Sequence, residues 1–302
     1  NEKKHLSGLN PLEQTFNLSH VVPDAVPDEA AQWRRAVPTI GGLNARVDGA
    51  TLNLEYAGRL LATVRLPQAD DRIRLTRHPC NRGAAWNYNF VFKQARAPYF
   101  KWASHDDVCK PSFLKRCVEV LDNRPDVVLC FTNTTIIDAH SKPCQIYRNQ
   151  LHLQHSNPAQ RFRSCLFRRA TESNAIFGLL RVSALEQTRK IDNFVGSDNI
   201  LLAQLALLGC FYEIDDALFL RRDHPETSLR ANPSQRNLHR WFDPQKEKYV
   251  FPTTLRWAIE YAKVLFDIPL PSKIRYNCLF YTLYWLYKKR RKLLADFKSL
   301  DD

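Results

Sequence analysis

The sequence predicts an α/β fold with a mostly parallel sheet flanked by helices, followed by a helical C-terminal region. Strand-like and helix-like patterns alternate between Arg72 and Phe131, and this order favours parallel strands joined by helical crossovers. The run Val127–Phe131 is continuously apolar, as expected of a strand covered on both faces. Leu255–Phe266 is amphipathic and Cys278–Tyr287 is rich in aromatic residues, which predicts the helical C-terminal part.

The first half of the α/β region contains two predicted strands and two predicted helices. Arg72–Arg77 alternates apolar and polar residues, and a turn over 78–83 leads into a helix from Ala84 to about Arg96. Tyr99–Ala103 has the length and composition of a second strand. Pro111 occupies a position tolerated at the start of a helix, and apolar residues then recur at helical spacing up to Asn123.

The second half continues with the same two kinds of pattern. The predicted helices are Pro158–Phe167, Ile200–Leu208, Leu255–Phe266 and Cys278–Tyr287, and Ile176–Leu180 is a predicted strand. Phe211–Ile214 and Ala217–Leu220 are short apolar runs. Gly209 follows the helix at Ile200–Leu208 directly, and a glycine there is a common stop signal.

Composition restricts the class of protein. The 302 residues are 44% hydrophobic and 25% charged, which is typical of a soluble globular chain. The net charge of +13 favours anionic partners such as nucleotide phosphates, nucleic acid or an anionic membrane. No zinc spacing or nucleic-acid motif accompanies the charge, so we expect no specific nucleic-acid partner. The eight cysteines form no CxxC pair, and we expect reduced thiols in the cytoplasm.

The adjacent acids Asp106 and Asp107 are the most informative pair of residues. They follow the predicted strand Tyr99–Ala103, and ligands of α/β sheets bind beyond the carboxyl ends of strands. Two neighbouring carboxylates repel each other and favour a shared cation or proton. Mg²⁺ or Mn²⁺ binds such oxygens together with substrate phosphates. The alternative is that the acids cap the following helix, and the pair alone leaves both open.

Several short motifs around these acids resemble family 2 glycosyltransferases with the GT-A fold. They occur in the family's order over roughly residues 72–230. The motifs are Asn81-Arg-Gly, Asn89, Ala95-Arg96, the strand ending in Asp106-Asp107, Pro111, Pro125-Asp-Val-Val, Gly196-Ser-Asp198 and Arg221-Arg-Asp-His224. The resemblance implies a GT-A-like (Rossmann-like) sheet and a nucleotide-sugar donor.

The resemblance also implies roles for individual residues. Asp106 and Asp107 correspond to the motif that binds a divalent metal (Mg or Mn) and the nucleotide diphosphate. Asp198 corresponds to the general base of the inverting enzymes, with an N-cap of the following helix as its structural alternative. Arg221, Arg222 and His224 correspond to a segment near the diphosphate. For His224 a simple turn position next to a proline is the alternative.

The first nucleotide-binding motifs of the family are not recognisable in this chain. We therefore expect residues 1–65 to be a poorly structured or non-homologous segment, 66–232 to be the glycosyltransferase domain and 233–302 to be a helical extension. The main hypothesis is a metal-dependent inverting glycosyltransferase that acts on an envelope or polysaccharide-type acceptor. The alternative is a catalytically dead or truncated remnant that lacks the pocket for the donor base.

The C-terminal pattern allows two interpretations. Residues 278–287 are rich in aromatic side chains and precede the basic run Lys288-Lys-Arg-Arg-Lys292. A span of a bilayer needs about 20 apolar residues, so this segment is too short to cross. One interpretation is peripheral contact of 278–292 with anionic lipid on the inner face of the plasma membrane. The other is a packed terminal helix with a solvated basic end.

Overall fold

The computed structural model describes nearly all of residues 81–225 and all of 251–298, and only short segments elsewhere. It describes residues 15–16, 37–38, 43–48, 51–56, 59–65, 76, 81–104, 106–168, 173–225, 227, 230, 237, 241 and 251–298. For the strands before residue 66 only the backbone is described. The predicted strand Arg72–Arg77 therefore lies outside the described residues apart from residue 76.

The described elements are strands up to residue 65 and a mixture of strands and helices from residue 84 onward. The strands are β1 Thr15–Phe16, β2 Val37–Pro38, β3 Leu43–Asp48, β4 Thr51–Tyr56, β5 Arg59–Arg65, β6 Tyr99–Phe100, β7 Trp102–Ala103, β8 Val108–Cys109, β9 Val127–Ile137, β10 Pro143–Tyr147, β11 Leu179–Arg181 and β12 Cys210–Arg222. The helices are α1 Ala84–Lys93, α2 Phe113–Asn123, α3 Pro158–Leu166, α4 Val182–Leu185, α5 Ser197–Leu208, α6 Thr253–Asp267, α7 Ser272–Lys288 and α8 Arg290–Lys298.

The central sheet confirms the α/β class but not the predicted strand directions. Its order is β6-β11-β9-β12-β8, with β10 paired to β9. Strands β9 and β12 are parallel, whereas the other pairs in this sheet are antiparallel. The prediction of a mostly parallel sheet is thus wrong for the described residues. The connections explain two of the pairs: only a short turn joins the antiparallel strands β9 and β10, whereas α3, α4 and α5 lie between the parallel strands β9 and β12.

A separate four-stranded antiparallel sheet precedes the central one. Its order is β2-β3-β4-β5, and β3 pairs with β4 from Leu43↔Tyr56 to Asp48↔Thr51. The short strand β1 pairs in parallel with β7. The sequence analysis did not predict these strands in the segment 1–65. The division of the chain at residue 65 stays a prediction.

Several predicted boundaries shift. Helix α1 ends at Lys93 rather than near Arg96. In place of a strand over Ile176–Leu180 the chain forms a 3₁₀ turn at Asn174–Phe177 and then β11. The two short apolar runs over 211–220 are parts of the single strand β12, whose register against β9 shifts between Ile214 and Ala217. A bulge of this kind interrupts the apolar pattern without ending the strand.

The helical C-terminal region is confirmed, and it shares the core of the sheet domain. Tyr261 and Val264 of α6 and Cys278 of α7 belong to the same buried cluster as α5. Trp285 of α7 stacks on Trp257 of α6 with ring centroids 6.5 Å apart. Of the described helices, not one combines the length and apolar character needed to cross a membrane.

The described cysteines agree with the expectation of reduced thiols. All seven of them are free, and most are buried. Cys117 and Cys130 contact each other, and together with burial this contact raises the pKa of Cys117. Cys80 lies outside the described residues.

Candidate functional site

The acid pair lies at the end of β7 and contacts the end of β12. The Arg222 backbone N–H donates to Asp107 Oδ1 at 3.0 Å, and His224 Nε2 lies 3.0 Å from Asp106 Oδ2. Ser104 Oγ donates to Asp106 Oδ1 at 2.5 Å. Four of the predicted site residues therefore meet, although more than a hundred positions separate them in the chain.

The pairing of β8 with β12 explains this meeting. The two strands are antiparallel, with Val108 opposite Leu220 and Cys109 opposite Phe219. The same register continued past the strand end sets Arg222 opposite Asp106. Helix α2 begins at Phe113, beyond β8, so the acids do not cap it. The alternative explanation of the acid pair is thus wrong.

Burial and like charge dominate the electrostatics of Asp107. Burial, followed by the charge of Asp106, raises the pKa of Asp107 to about 7. The N–H of Arg222 and the positive charges of Arg221 and Lys101 act in the opposite direction. These opposing groups do not cancel the repulsion between the acids. The site therefore favours a proton or a cation between the two carboxylates.

The two arginines of the segment have different surroundings. The Arg222 guanidinium donates to four oxygens, which are Asp106 O at 3.1 Å, Asp138 O at 2.9 Å, Ala139 O at 3.2 Å and Ser141 Oγ at 3.0 Å. It thereby fastens the turn between β9 and β10 to the acid pair. Arg221 Nη1 donates to Asn174 Oδ1 at 3.2 Å. Contact of either arginine with a phosphate stays a prediction.

Asp198 lies in the first turn of α5. The N-cap position of this helix is Gly196, with φ of 82°, so Asp198 is not the N-cap. Asp198 Oδ1 accepts a hydrogen bond from the Asn199 backbone N–H at 2.9 Å. Burial raises the pKa of Asp198, while the positive charge of Arg168 lowers it. Arg168 also contacts Asn199 Oδ1, which links this cation to the same turn.

The buried phenol of Tyr88 is affected by the charges of both Asp198 and the acid pair, and it was not among the predicted site residues. Burial, followed by the charges of Asp107, Asp198 and Asp106, raises the pKa of the Tyr88 phenol. All three carboxylates thus oppose ionisation of the same phenol. Trp102 Nε1 donates to Tyr88 O at 2.9 Å and holds α1 against β7. In the sequence Tyr88 looks like any core aromatic residue of a helix.

The oxygen donors of this site suit one kind of metal binding. In the described part of the chain, which leaves out His105, no group of three or more His, Cys, Asp or Glu side chains could hold a metal ion. A closed protein cage such as a structural zinc site is therefore not formed by these residues. Mg²⁺ and Mn²⁺ commonly use one or two carboxylates together with water and substrate phosphates. Asp106 and Asp107 fit that second mode.

A comparison with protein families identifies the segment around the acid pair. The model of "Glycosyl transferase family 2" matches residues 60–184. The resemblance predicted from the motifs is thus confirmed over this segment, which contains Asp106 and Asp107. Asp198, Arg221, Arg222 and His224 lie beyond it. The comparison with curated proteins found no match.

Solved structures give distant likenesses. S. aureus TarS is 12% identical over 74% of this chain and 43% of its own length, with a TM-score of 0.38. Residues 1–349 of TarS in complex with UDP-GlcNAc are 11% identical over 76% of each chain, with a TM-score of 0.37. The chain thus spans less than half of the first of these proteins. At these TM-scores the likeness establishes no property of this chain.

Proposed function

We propose, from the resemblance of residues 60–184 to glycosyl transferase family 2, that this chain is a glycosyltransferase. The proposed reaction is a metal-dependent, inverting transfer of a sugar from a nucleotide sugar. The proposed acceptor is of the envelope or polysaccharide type, and the proposed location is the cytoplasm. The observation that carries the proposal is the meeting of Asp106 and Asp107 with His224 and the Arg222 N–H.

The acid pair serves the donor in this proposal. Asp106 and Asp107 would hold a divalent cation, which supplies neutralisation of the charge that develops on the leaving diphosphate. His224 orients the carboxylate of Asp106 through their 3.0 Å contact. Arg222 fixes the backbone of the pair through its bond to Asp106 O. Arg221, which lowers the pKa of Asp107 through its charge, adds positive charge for the diphosphate.

Asp198 serves the acceptor. A sugar hydroxyl is a weak nucleophile until a base removes its proton during the attack. The new bond forms between the acceptor oxygen and the anomeric carbon, the bond from that carbon to the diphosphate oxygen breaks, and the proton moves to Asp198. A single displacement of this kind inverts the anomeric centre. Burial raises the pKa of Asp198, which makes its carboxylate a stronger base than an ordinary one.

The test is nucleotide release from a panel of UDP-, GDP- and dTDP-sugars with Mn²⁺. The assay compares the wild type with two substitutions, Asp107→Asn and Asp198→Asn. Glu119→Gln, at an exposed carboxylate, is the control. Each of the first two substitutions should lower the turnover number by at least about 100-fold. The control should equal the wild type. Turnover that is independent of metal and unchanged in Asp107→Asn would contradict the proposal.

The alternative of a catalytically dead remnant requires a binding measurement. Calorimetric titration with UDP or GDP in the presence of Mn²⁺ distinguishes an active glycosyltransferase from such a remnant. A glycosyltransferase should bind one of them in the micromolar range, and Asp107→Asn should weaken that binding. Asp198→Asn should bind the nucleotide as the wild type does, because its proposed role is on the acceptor side. A chain that binds none of the nucleoside diphosphates would be the remnant.

A further inference from the structure

The outer face of α7 carries a row of exposed apolar side chains, which we call the aromatic stripe. Its members and exposed fractions are Tyr276 71%, Phe280 64%, Leu283 67%, Tyr284 43% and Tyr287 58%. Their spacing of three to four residues places them along one side of the helix. The opposite side, with Cys278, Thr282 and Trp285, is buried. Helix α7 therefore packs on the domain and still presents an apolar face to the outside.

Helix α8 also carries exposed apolar side chains. Leu294 and Phe297 of α8 are 63% and 46% exposed. A row of exposed apolar side chains such as the aromatic stripe usually marks an interaction site, whereas single exposed residues do not. The C-terminal helix is packed on the domain, as the second interpretation of residues 278–292 expects. Packing of one side does not explain why the outer face of α7 is apolar.

The charges around the aromatic stripe have one sign. Residues 272–298 contain eight basic residues, and Asp296 is their only acid. The basic residues are Lys273, Arg275, Lys288, Lys289, Arg290, Arg291, Lys292 and Lys298. Asp296 is buried and accepts a hydrogen bond from the Thr254 N–H at 2.7 Å. Its charge is therefore directed into the protein and not toward the stripe.

The basic side chains lie next to the aromatic ones. Lys288 Nζ lies 5.5 Å from the ring centroid of Tyr284, and the Arg290 guanidinium carbon lies 4.6 Å from that of Tyr287. Within the described residues, the run Lys288–Lys292 forms no ion pair. The face thus combines apolar side chains with positive charges that no described acid neutralises.

We propose that the aromatic stripe and the run Lys288–Lys292 dock the protein on an anionic lipid bilayer. Aromatic side chains prefer the level of the lipid headgroups, and clustered Lys and Arg residues are attracted to anionic lipids. A second copy of the chain fits less well, because an isologous contact would bring two basic clusters together. The proposal goes beyond the proposed enzymatic function and does not depend on it.

The test is cosedimentation of the full chain with vesicles. Mixed phosphatidylglycerol and phosphatidylcholine vesicles should bind the protein, and pure phosphatidylcholine vesicles should not. Raising NaCl from about 0.1 M to about 0.5 M should weaken the binding, since it shortens the Debye length. Phe280→Ser combined with Tyr287→Ser should lower the partition coefficient by about tenfold or more. Ile146→Ser, at an equally exposed residue of β10, should bind as the wild type does.

Three results would overturn the assignment. They are no binding to the anionic vesicles, equal binding to both kinds of vesicle, and binding that the double substitution leaves unchanged while its melting temperature equals that of the wild type. Light scattering after size exclusion provides a further check. A dimer that Phe280→Ser dissociates would identify a second copy as the occupant and would exclude the bilayer.

Discussion

The indole of Trp257 covers Gly196 in the turn that leads to Asp198. Trp257 Nε1 donates to Val195 O at 2.8 Å. Gly196 has φ of +82°, and a Cβ atom at this position would lie 2.1 Å from Trp257 Cζ2. Helix α6 therefore holds the segment that carries the proposed base, and the C-terminal region takes part in building the candidate site.

Gly196→Ala should destabilise the protein by about 2–4 kcal/mol, because a left-handed conformation and a steric clash both oppose the methyl group. The measurement is urea unfolding of the variant and the wild type. The turnover number should fall as well, since the turn that positions Asp198 has to shift.

A double substitution separates the clash from the backbone strain. In Gly196→Ala combined with Trp257→Ala the clash is removed, whereas the left-handed φ remains. The double variant should therefore lose less stability than the sum of the two single variants, by about 1 kcal/mol or more. Strict additivity would show that the indole does not limit the space at Gly196.

The buried carboxylate of Glu260 ties α6 to the sheet domain. Its side chain is 2% exposed, and it pairs with Arg189 at 2.7 Å and with Arg256 and Lys263 at 3.1 Å each. Glu260→Gln leaves these cations without their shared partner. We expect a loss of about 1–3 kcal/mol, reduced from the value of a fully buried pair because the cations reach solvent.

The matched control for this prediction is Glu119→Gln. Glu119 lies 4.0 Å from Lys115 on the surface, with both side chains at least half exposed, and its replacement should change stability by at most about 0.5 kcal/mol. Equal effects of the two substitutions in urea unfolding would refute a structural role of Glu260. Such a result would also favour 233–302 as an independent extension.

Arg222 should stabilise the protein through the hydrogen-bonding geometry of its guanidinium and not through its charge alone. Arg222→Lys keeps the charge but cannot reach the four oxygens that the guanidinium binds. We expect a loss of stability of about 1–3 kcal/mol, measured by urea unfolding. Arg148→Lys, at a side chain that is 65% exposed, is the control and should be near neutral. A wild-type stability of Arg222→Lys would mean that its bonds to the turn contribute little.

Asp198 should make stability depend on pH. Its pKa in the folded protein lies above the ordinary value of 3.8, mainly because of burial. The folded state therefore binds the proton more tightly than the unfolded state does. The free energy of unfolding then falls as pH rises from about 3.8 through the raised pKa. Asp198→Asn should remove this fall and should be more stable than the wild type at neutral pH.

Unfolding measured across this pH range checks the prediction. Asn can still accept the hydrogen bond of the Asn199 N–H, so the local structure should persist. If the free energies of unfolding of the wild type and of Asp198→Asn changed with pH in the same way, Asp198 would have the same pKa in the folded and unfolded states, and the prediction would be wrong. The turnover number of the wild type should rise with pH through the same pKa, because the proposed base acts as a carboxylate.

Local patterns in the sequence were sufficient for much of the fold. Helices α2, α3 and α5 appear close to their predicted bounds, because side chains that recur every three to four residues must share one face of a helix. The position of Asp106 and Asp107 after a strand was predictable for a similar reason, since an apolar run and the polar residues that end it are adjacent in the chain. The role of these acids was left open.

Tertiary structure decided what local patterns do not encode. The register of β8 against β12 brings His224 and the Arg222 N–H to the acid pair, and a register depends on distant strands. The antiparallel pairing of β11 with β6 and β9, and of β8 with β12, joins strands that are not adjacent in the chain, so local periodicity does not reveal it.

Helix α7 shows the same division. Its sequence is apolar on two sides, and only packing determines that Trp285 is buried while Phe280 is exposed. The sequence by itself determined an α/β protein with an acid pair beyond a strand and a basic, aromatic C-terminal helix, because these are properties of neighbouring residues. The folded chain decided which residues join the pair and which face stays uncovered, because those depend on contacts between residues far apart in the chain.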